Sequence, residues 1–255
     1  MKSPLLQLRY LLLFALFAAC GCGLSDYQNR MDAQSKRVQE FDDANKILGD
    51  PIANPKFQPP QVKDEGTAWP FEIYLRLPQG FDDKPKDKAP YADPFPCFRY
   101  ASGDATVNIF VVAAKVAEAN AKPELRHYTP AKFRTLIREA LDEFYAKTYR
   151  TTSALQVKTK PRTVEKKAVA AYPDGSSISY EHVQYADAGN TKNRSIFDVY
   201  IRDRYGKQVA IVVHQIVQQG GADHFTTSID ACLGTLDASS EAAGKRIQFK
   251  ALKGQ

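Results

Sequence analysis

Few side chains in this 255-residue sequence have the type and spacing to do chemistry. The four cysteines fall into two pairs. Cys20 and Cys22 lie behind Lys2, Arg9 and an apolar run from Tyr10 to Phe17 that ends in Ala18-Ala19. A positive start, a short apolar middle and small residues before a cut are the order of a signal peptide. Residues 1–19 therefore read as a leader, with Cys20 the first residue kept. The run is too short to span a bilayer, which takes about 20 apolar residues. Cys97 and Cys232 belong to the body, where an exported chain either bridges them or holds two buried thiols. A bridge would close a loop of about 135 residues and contribute near 5 kcal/mol at most.

The histidines are His127, His182, His214 and His224. A metal pair across a sheet would need His182 and His214 adjacent with a carboxylate nearby, so as scattered strand residues they read as surface or satisfied core. Asp223-His224 beside Asp230 is the nearest approach to an acid–base cluster, yet acids at a helix start are explained by its dipole. Ser176-Ser177 has no His and Asp partners at a recognisable spacing. No glycine-rich phosphate loop or His-Glu-x-x-His occurs. Asn193-Arg194-Ser195 fits a glycosylation sequon by chance. These residues point away from an enzyme and call for no cofactor and no metal.

The elements that would position them follow from periodicity. Ser25 to Gln28 makes a capping box, and Tyr27, Met31, Gln34, Val38, Phe41, Asn45 and Leu48 recur at spacings of four and three. That stripe gives a helix over 20–49, stopped by Gly49 and Asp50-Pro51; it either packs on its own domain or serves as a dimerising stalk. Residues 50–68, with Pro51, Pro55, Pro59 and Pro60, form a linker. The globular body spans 69–238, leaving 239–255 as a basic tail. Phe71, Ile73, Leu75 and Leu77 alternate as a strand with one buried face. Asp82 to Pro96 is a charged loop, and Thr106–Val116 reads as a central strand. Thr129-Pro130 opens a helix whose Phe133, Leu136, Ile137, Ala140, Leu141 and Phe144 share one face. Strands follow at Leu155–Val164, Lys167–Tyr172, Ser177–Tyr185, Ser195–Asp203 and Gln208–Gln215, with Gly206 near a hairpin tip. Phe225, Ile229, Cys232, Leu233 and Leu236 mark a last helix. This order is α+β, an antiparallel sheet covered by helices.

The net charge of +6 is mild and includes Lys2 and Arg9 of the leader. Its densest stretch, Lys158 to Arg162 with Lys166-Lys167, reads as the wet face of a strand. Such a surface could meet anionic lipid or nucleic acid; export removes the body from nucleic acid, so no nucleic-acid partner is expected. Tyr180, Tyr185, Tyr200 and Tyr205 are candidates for an exposed recognition face of the sheet.

The stretch Phe17-Ala18-Ala19-Cys20 resembles a bacterial lipoprotein signal, with Phe where that family has Leu, Val or Ile. The shifted frame Ala19-Cys20-Gly21-Cys22 would place the lipid on Cys22 instead. The resemblance implies diacylglyceryl and acyl modification of Cys20, and two or more chains hold a protein stably in a bilayer. Gly21, rather than Asp, resembles signals for onward transport to an outer membrane. Residues 20–51 look like uncharacterised lipoproteins of planctomycete bacteria. The body resembles the PsbP-like fold over 69–238, on Phe71–Phe81, the Thr129–Tyr149 helix, the hairpin around Gly206 and a closing helix. Together these imply an envelope lipoprotein, its body outside the cytoplasm, with a non-catalytic domain that binds a protein partner or supports an assembly. A small-ligand or metal-binding module and an enzyme of unrecognised type are the alternatives.

Overall fold

Among the described residues, seven of the nine strands form one antiparallel sheet. The structure is a computed structural model that describes residues 25–36, 38–40, 42–52, 71, 73–82, 87–88, 97–103, 106–115, 130–151, 153–169, 177–187, 193–204, 206–218 and 226–238. The chain divides after Asn45 into two compact units. Helix α1 runs over residues 25–47, with 37 and 41 outside the described residues, and Tyr27, Met31 and Val38 on its stripe are exposed. Its expected last member, Leu48, is not helical. It opens strand β1 (Leu48–Pro51), which pairs with β2 (Arg76–Pro78) as a separate two-stranded sheet. The stop signals at Gly49 and Pro51 thus end the helix and start a strand. Arg76 accounts for the difference, donating from Nε to Gly49 O at 2.9 Å and from Nη2 to Leu48 O at 3.1 Å.

The main sheet contains β3 (Asp87–Lys88), β4 (Cys97–Ala101), β5 (Val107–Lys115), β6 (Gln156–Lys167), β7 (Ser177–Ala186), β8 (Asn193–Arg204) and β9 (Lys207–Gln218). Its order is β3-β4-β5-β9-β8-β7-β6, every pair antiparallel. The most apolar strand, β9, lies in the middle as its composition requires. Three elements depart from the sequence reading. β6 runs on through Lys167, past the end expected at Val164, while 168–169 are not strand and 170–172 of the second expected strand lie outside the described residues. β3 falls within the expected loop Asp82–Pro96, and β4 adds a strand that no alternation announced.

Helix α2 (Pro130–Tyr149) covers one face. Its Phe133, Ile137, Leu141 and Phe144 meet Phe110, Val112, Phe197 and Val212 in one buried cluster. Proline is tolerated at the first helical position because its missing N–H would be unpaired there anyway. Beyond the helix Arg150 turns left-handed (φ 49°), and Thr151 N reaches back to Ala146 O at 3.2 Å. The opposite face carries α3 (Thr226–Leu233), which packs against β1, β2 and β6. Tyr180 Oη donates to Leu233 O at 2.6 Å, and Arg202 to Leu236 O at 2.8 Å. Phe71, Ile73, Leu75 and Leu77 are buried as expected, although only Arg76–Pro78 is regular strand. Among the described residues no helix is long and apolar enough to cross a membrane.

Candidate functional site

Strand parity sends the two central histidines to opposite faces of the sheet. On β9, His214 follows Ala210 and Val212 onto the α2 face; on β7, His182 follows Ile178 and Tyr180 onto the α3 face. Each becomes the hub of a polar network that neither had in sequence.

His214 stacks on Phe197, ring centroids 4.3 Å apart at 6°, and meets Phe144 edge-on at 5.7 Å. Its Nε2 lies 3.3 Å from Ser195 Oγ and 3.4 Å from Tyr149 Oη, while Ser195 Oγ donates to Tyr149 Oη at 2.7 Å. The ring tautomer decides whether Nε2 donates to Ser195 Oγ or accepts from Tyr149 Oη, and Nδ1 has no hydrogen-bond partner among the described residues. Burial pushes the His214 pKa down to about 3, so the ring is neutral across the physiological range. One turn back on α2, burial and a hydrogen bond to Asp187 push the Tyr145 phenol up.

A serine hydroxyl beside an imidazole suggests acyl transfer, but the arrangement lacks two of its requirements. Nothing orients or charges the base through Nδ1, and Ser195 is only 1 % exposed and His214 2 %. The group works instead as a polar tie between the end of α2 and the sheet.

On the other face His182 stacks on Tyr200 at 4.5 Å and 19°, and its Nε2 pairs with Asp198 Oδ1 at 2.8 Å. Gln184 Nε2 donates to the same oxygen at 3.0 Å. His182 is 7 % exposed, and its Nδ1 has no partner. Among the described residues no three His, Cys, Asp or Glu side chains converge as a cation site.

The other residues singled out in the sequence are dispersed. Cys97 lies on β4 against α2, whereas Cys232 lies in α3 on the far side of the sheet. Both thiols are buried, and the β-sheet between the two side chains keeps them from bridging. Burial raises the Cys232 thiol pKa and keeps it inert. Asp230 is held by Lys166 at 2.5 Å, and Ser177 donates to Glu165. Tyr180 and Tyr200 are buried, and Tyr185 is half-buried under the Arg138 guanidinium at 4.3 Å, so these three do not form an exposed aromatic face. Cys20, Cys22, His127, Ser176, Tyr205, Asp223, His224 and the 239–255 tail lie outside the described residues.

What the body does present to solvent is its β6 edge. Lys158, Lys160 and Arg162 are exposed there, as is Val157 at 54 %. The ladder to β7 is irregular between Val157 and Thr159 and again between Thr159 and Arg162.

No protein-family model matches the chain, and no curated protein matches it. Solved structures with a similar course include cyanobacterial PsbP from Synechocystis sp. PCC 6803, at 11% identity and TM-score 0.36. That match covers 72% of this chain and 99% of that one. The Ran-binding protein Mog1p of Saccharomyces cerevisiae is similar at 14% identity and TM-score 0.29, over 71% and 88%. A protein from Bacteroides thetaiotaomicron VPI-5482 is similar at 10% identity and TM-score 0.32, over 66% of this chain; the chain spans just under half, 46%, of its length. These likenesses concern the fold and extend no further.

Proposed function

We propose that the chain is an envelope lipoprotein, held in the membrane through Cys20, whose α+β body is a non-catalytic module that binds a protein partner or supports an assembly. The reading of the body rests chiefly on one observation. In the two described clusters that join a histidine to a hydroxyl or a carboxylate both imidazoles are buried, His214 with Ser195 sealed under α2 and His182 beside the half-buried Asp198. Reactive groups sealed in this way serve packing, which leaves the outer surface to meet other molecules. Phe17-Ala18-Ala19-Cys20 supports the anchor, and two or more acyl chains there would need no apolar surface on the body.

Mass spectrometry of the mature N-terminus tests the anchor: a first peptide beginning at Cys20 with diacylglyceryl and acyl mass is expected, and an unmodified start overturns it. Cross-linking the full chain in its native membranes tests the module. One partner should recur in stoichiometric yield, and a body that stays alone at every salt concentration contradicts the reading.

A further inference from the structure

Strand β6 has the composition of a contact surface rather than of a solvated edge. Between Gln156 and Lys167 it carries Lys158, Lys160, Arg162, Lys166 and Lys167 against the single acid Glu165. Lys166 is engaged with Asp230, and Glu165 accepts from Ser177. Lys158 donates to the neutral Gln156 Oε1 at 3.1 Å, which leaves its charge uncancelled. Lys158, Lys160 and Arg162 thus concentrate exposed positive charge within five residues. Directly beside them, Val157 is the one large apolar side chain of the 46–255 unit that stands exposed among the described residues. Cations next to a solvent-facing apolar residue are the combination that suits a charged lipid interface.

The backbone argues in the same direction. Among the described residues β6 is the outermost strand and pairs on one side only, so an extended peptide could in principle add to it. Pro161 and both ladder irregularities fall in the stretch that carries the charge, and each interrupts the hydrogen-bonding row an added strand would need. Recognition there must come from side chains on long flexible stems, which fits a fluid sheet of phosphates better than a partner of fixed register. Nor does the stretch offer an exposed aromatic on which nucleic-acid bases would stack.

We infer that the β6 edge lies against an anionic phospholipid surface, with Val157 at the headgroup level and Lys158, Lys160 and Arg162 facing lipid phosphates. This rests on the membrane tether proposed above, which brings the body to such a surface. Its effect is orientation rather than attachment. Seven strands at about 4.8 Å spacing place β3 roughly 30 Å from the lipid, so the opposite edge of the sheet is held outward.

The test uses the full chain carrying Cys20→Ser and Cys22→Ser, which removes both candidate lipid sites and so separates the edge from the acyl anchor. Vesicles of phosphatidylcholine with 30 mol% phosphatidylglycerol are compared with pure phosphatidylcholine. The anionic lipid should raise binding, and the gain should fall between 50 and 500 mM salt. K158Q/K160Q/R162Q should remove the gain by about 100-fold, at roughly five-fold per cation, without changing binding to phosphatidylcholine or the melting temperature. V157S should weaken binding to both vesicles by a smaller factor. An equal gain in parent and triple variant, or none in the parent, overturns the inference. So does tighter binding to soluble polyglutamate or single-stranded DNA than to the anionic vesicles at matched charge. Because the acyl group is absent from every sample, a failed N-terminal mass assignment and a failed vesicle gain are separate results.

Discussion

His214 and His182 sit on strands separated only by β8, yet the sheet gives them opposite surroundings. His214 faces α2, between two phenylalanine rings, and is offered hydroxyls but no carboxylate. His182 faces the other way, its buried ring stacked on Tyr200 and its Nε2 toward the half-buried Asp198, which also accepts from Gln184. The residue type is the same and parity alone separates them. Both faces are closed by apolar volume, Phe133 and Phe197 under α2 and Ile109, Ile211, Leu233 and Leu236 on the other side. The α3 face adds side chains that grip backbone carbonyls, such as Tyr180 on Leu233 and Arg202 on Leu236. Loss of packing should therefore cost more than loss of any single polar contact that the second face adds.

The largest effect is expected from Phe133→Ala, which empties a fully buried ring site under α2. A loss of about 3–5 kcal/mol in urea unfolding is anticipated, and a loss below 1 kcal/mol would show that this face is not closed by volume. His214→Gln comes next and is read through pH. The folded pKa lies below the unfolded value, so the unfolded chain takes up a proton that the folded one refuses. The parent should lose about 1.4 kcal/mol per pH unit relative to the variant as pH falls from 6.5 toward 3. Parallel stability curves for the two proteins would refute the neutral assignment. Asp198→Asn, which weakens a charge-assisted contact at the sheet surface, should cost about 1–3 kcal/mol at pH 7 by thermal melting. Tyr180→Phe removes one hydrogen bond to Leu233 O and should cost about 1 kcal/mol. A Tyr180→Phe loss matching that of Phe133→Ala would erase the distinction between packing and a single polar contact.

Periodicity made α2 and β7 legible, because each has one face that must be apolar, and β5 and β9 stood out as near-continuous apolar runs buried on both faces. β6 was expected to stop at Val164 because an edge strand needs no apolar face, and its charges at Glu165 to Lys167 look like a break. β1 was read as the end of a helix because what makes it a strand is Arg76, far along the chain. The histidine networks had no local signature, since Tyr149 and Ser195 lie 46 residues apart and Tyr149 and His214 lie 65 apart. One signal was available. The polar turn after Ala186 fixes the β7–β8 register, with Ala186 opposite Ile196 and Gln184 opposite Asp198. Counting back from it places His182 one pleat from Asp198 on the same face.

Tyr74 exchanges both backbone hydrogen bonds with Asp237, and Arg76 N is received by Thr235 Oγ1. The opening stretch of the body is therefore fastened by nearly the last described residues, across a separation of 159 positions in the second case. Contacts so remote in sequence form late, because a long loop must close before they are rewarded. A nascent chain halted short of Thr235 would keep Phe71–Pro78 open to proteases. A clasp made this late in the chain postpones completion of the body until synthesis has passed Asp237.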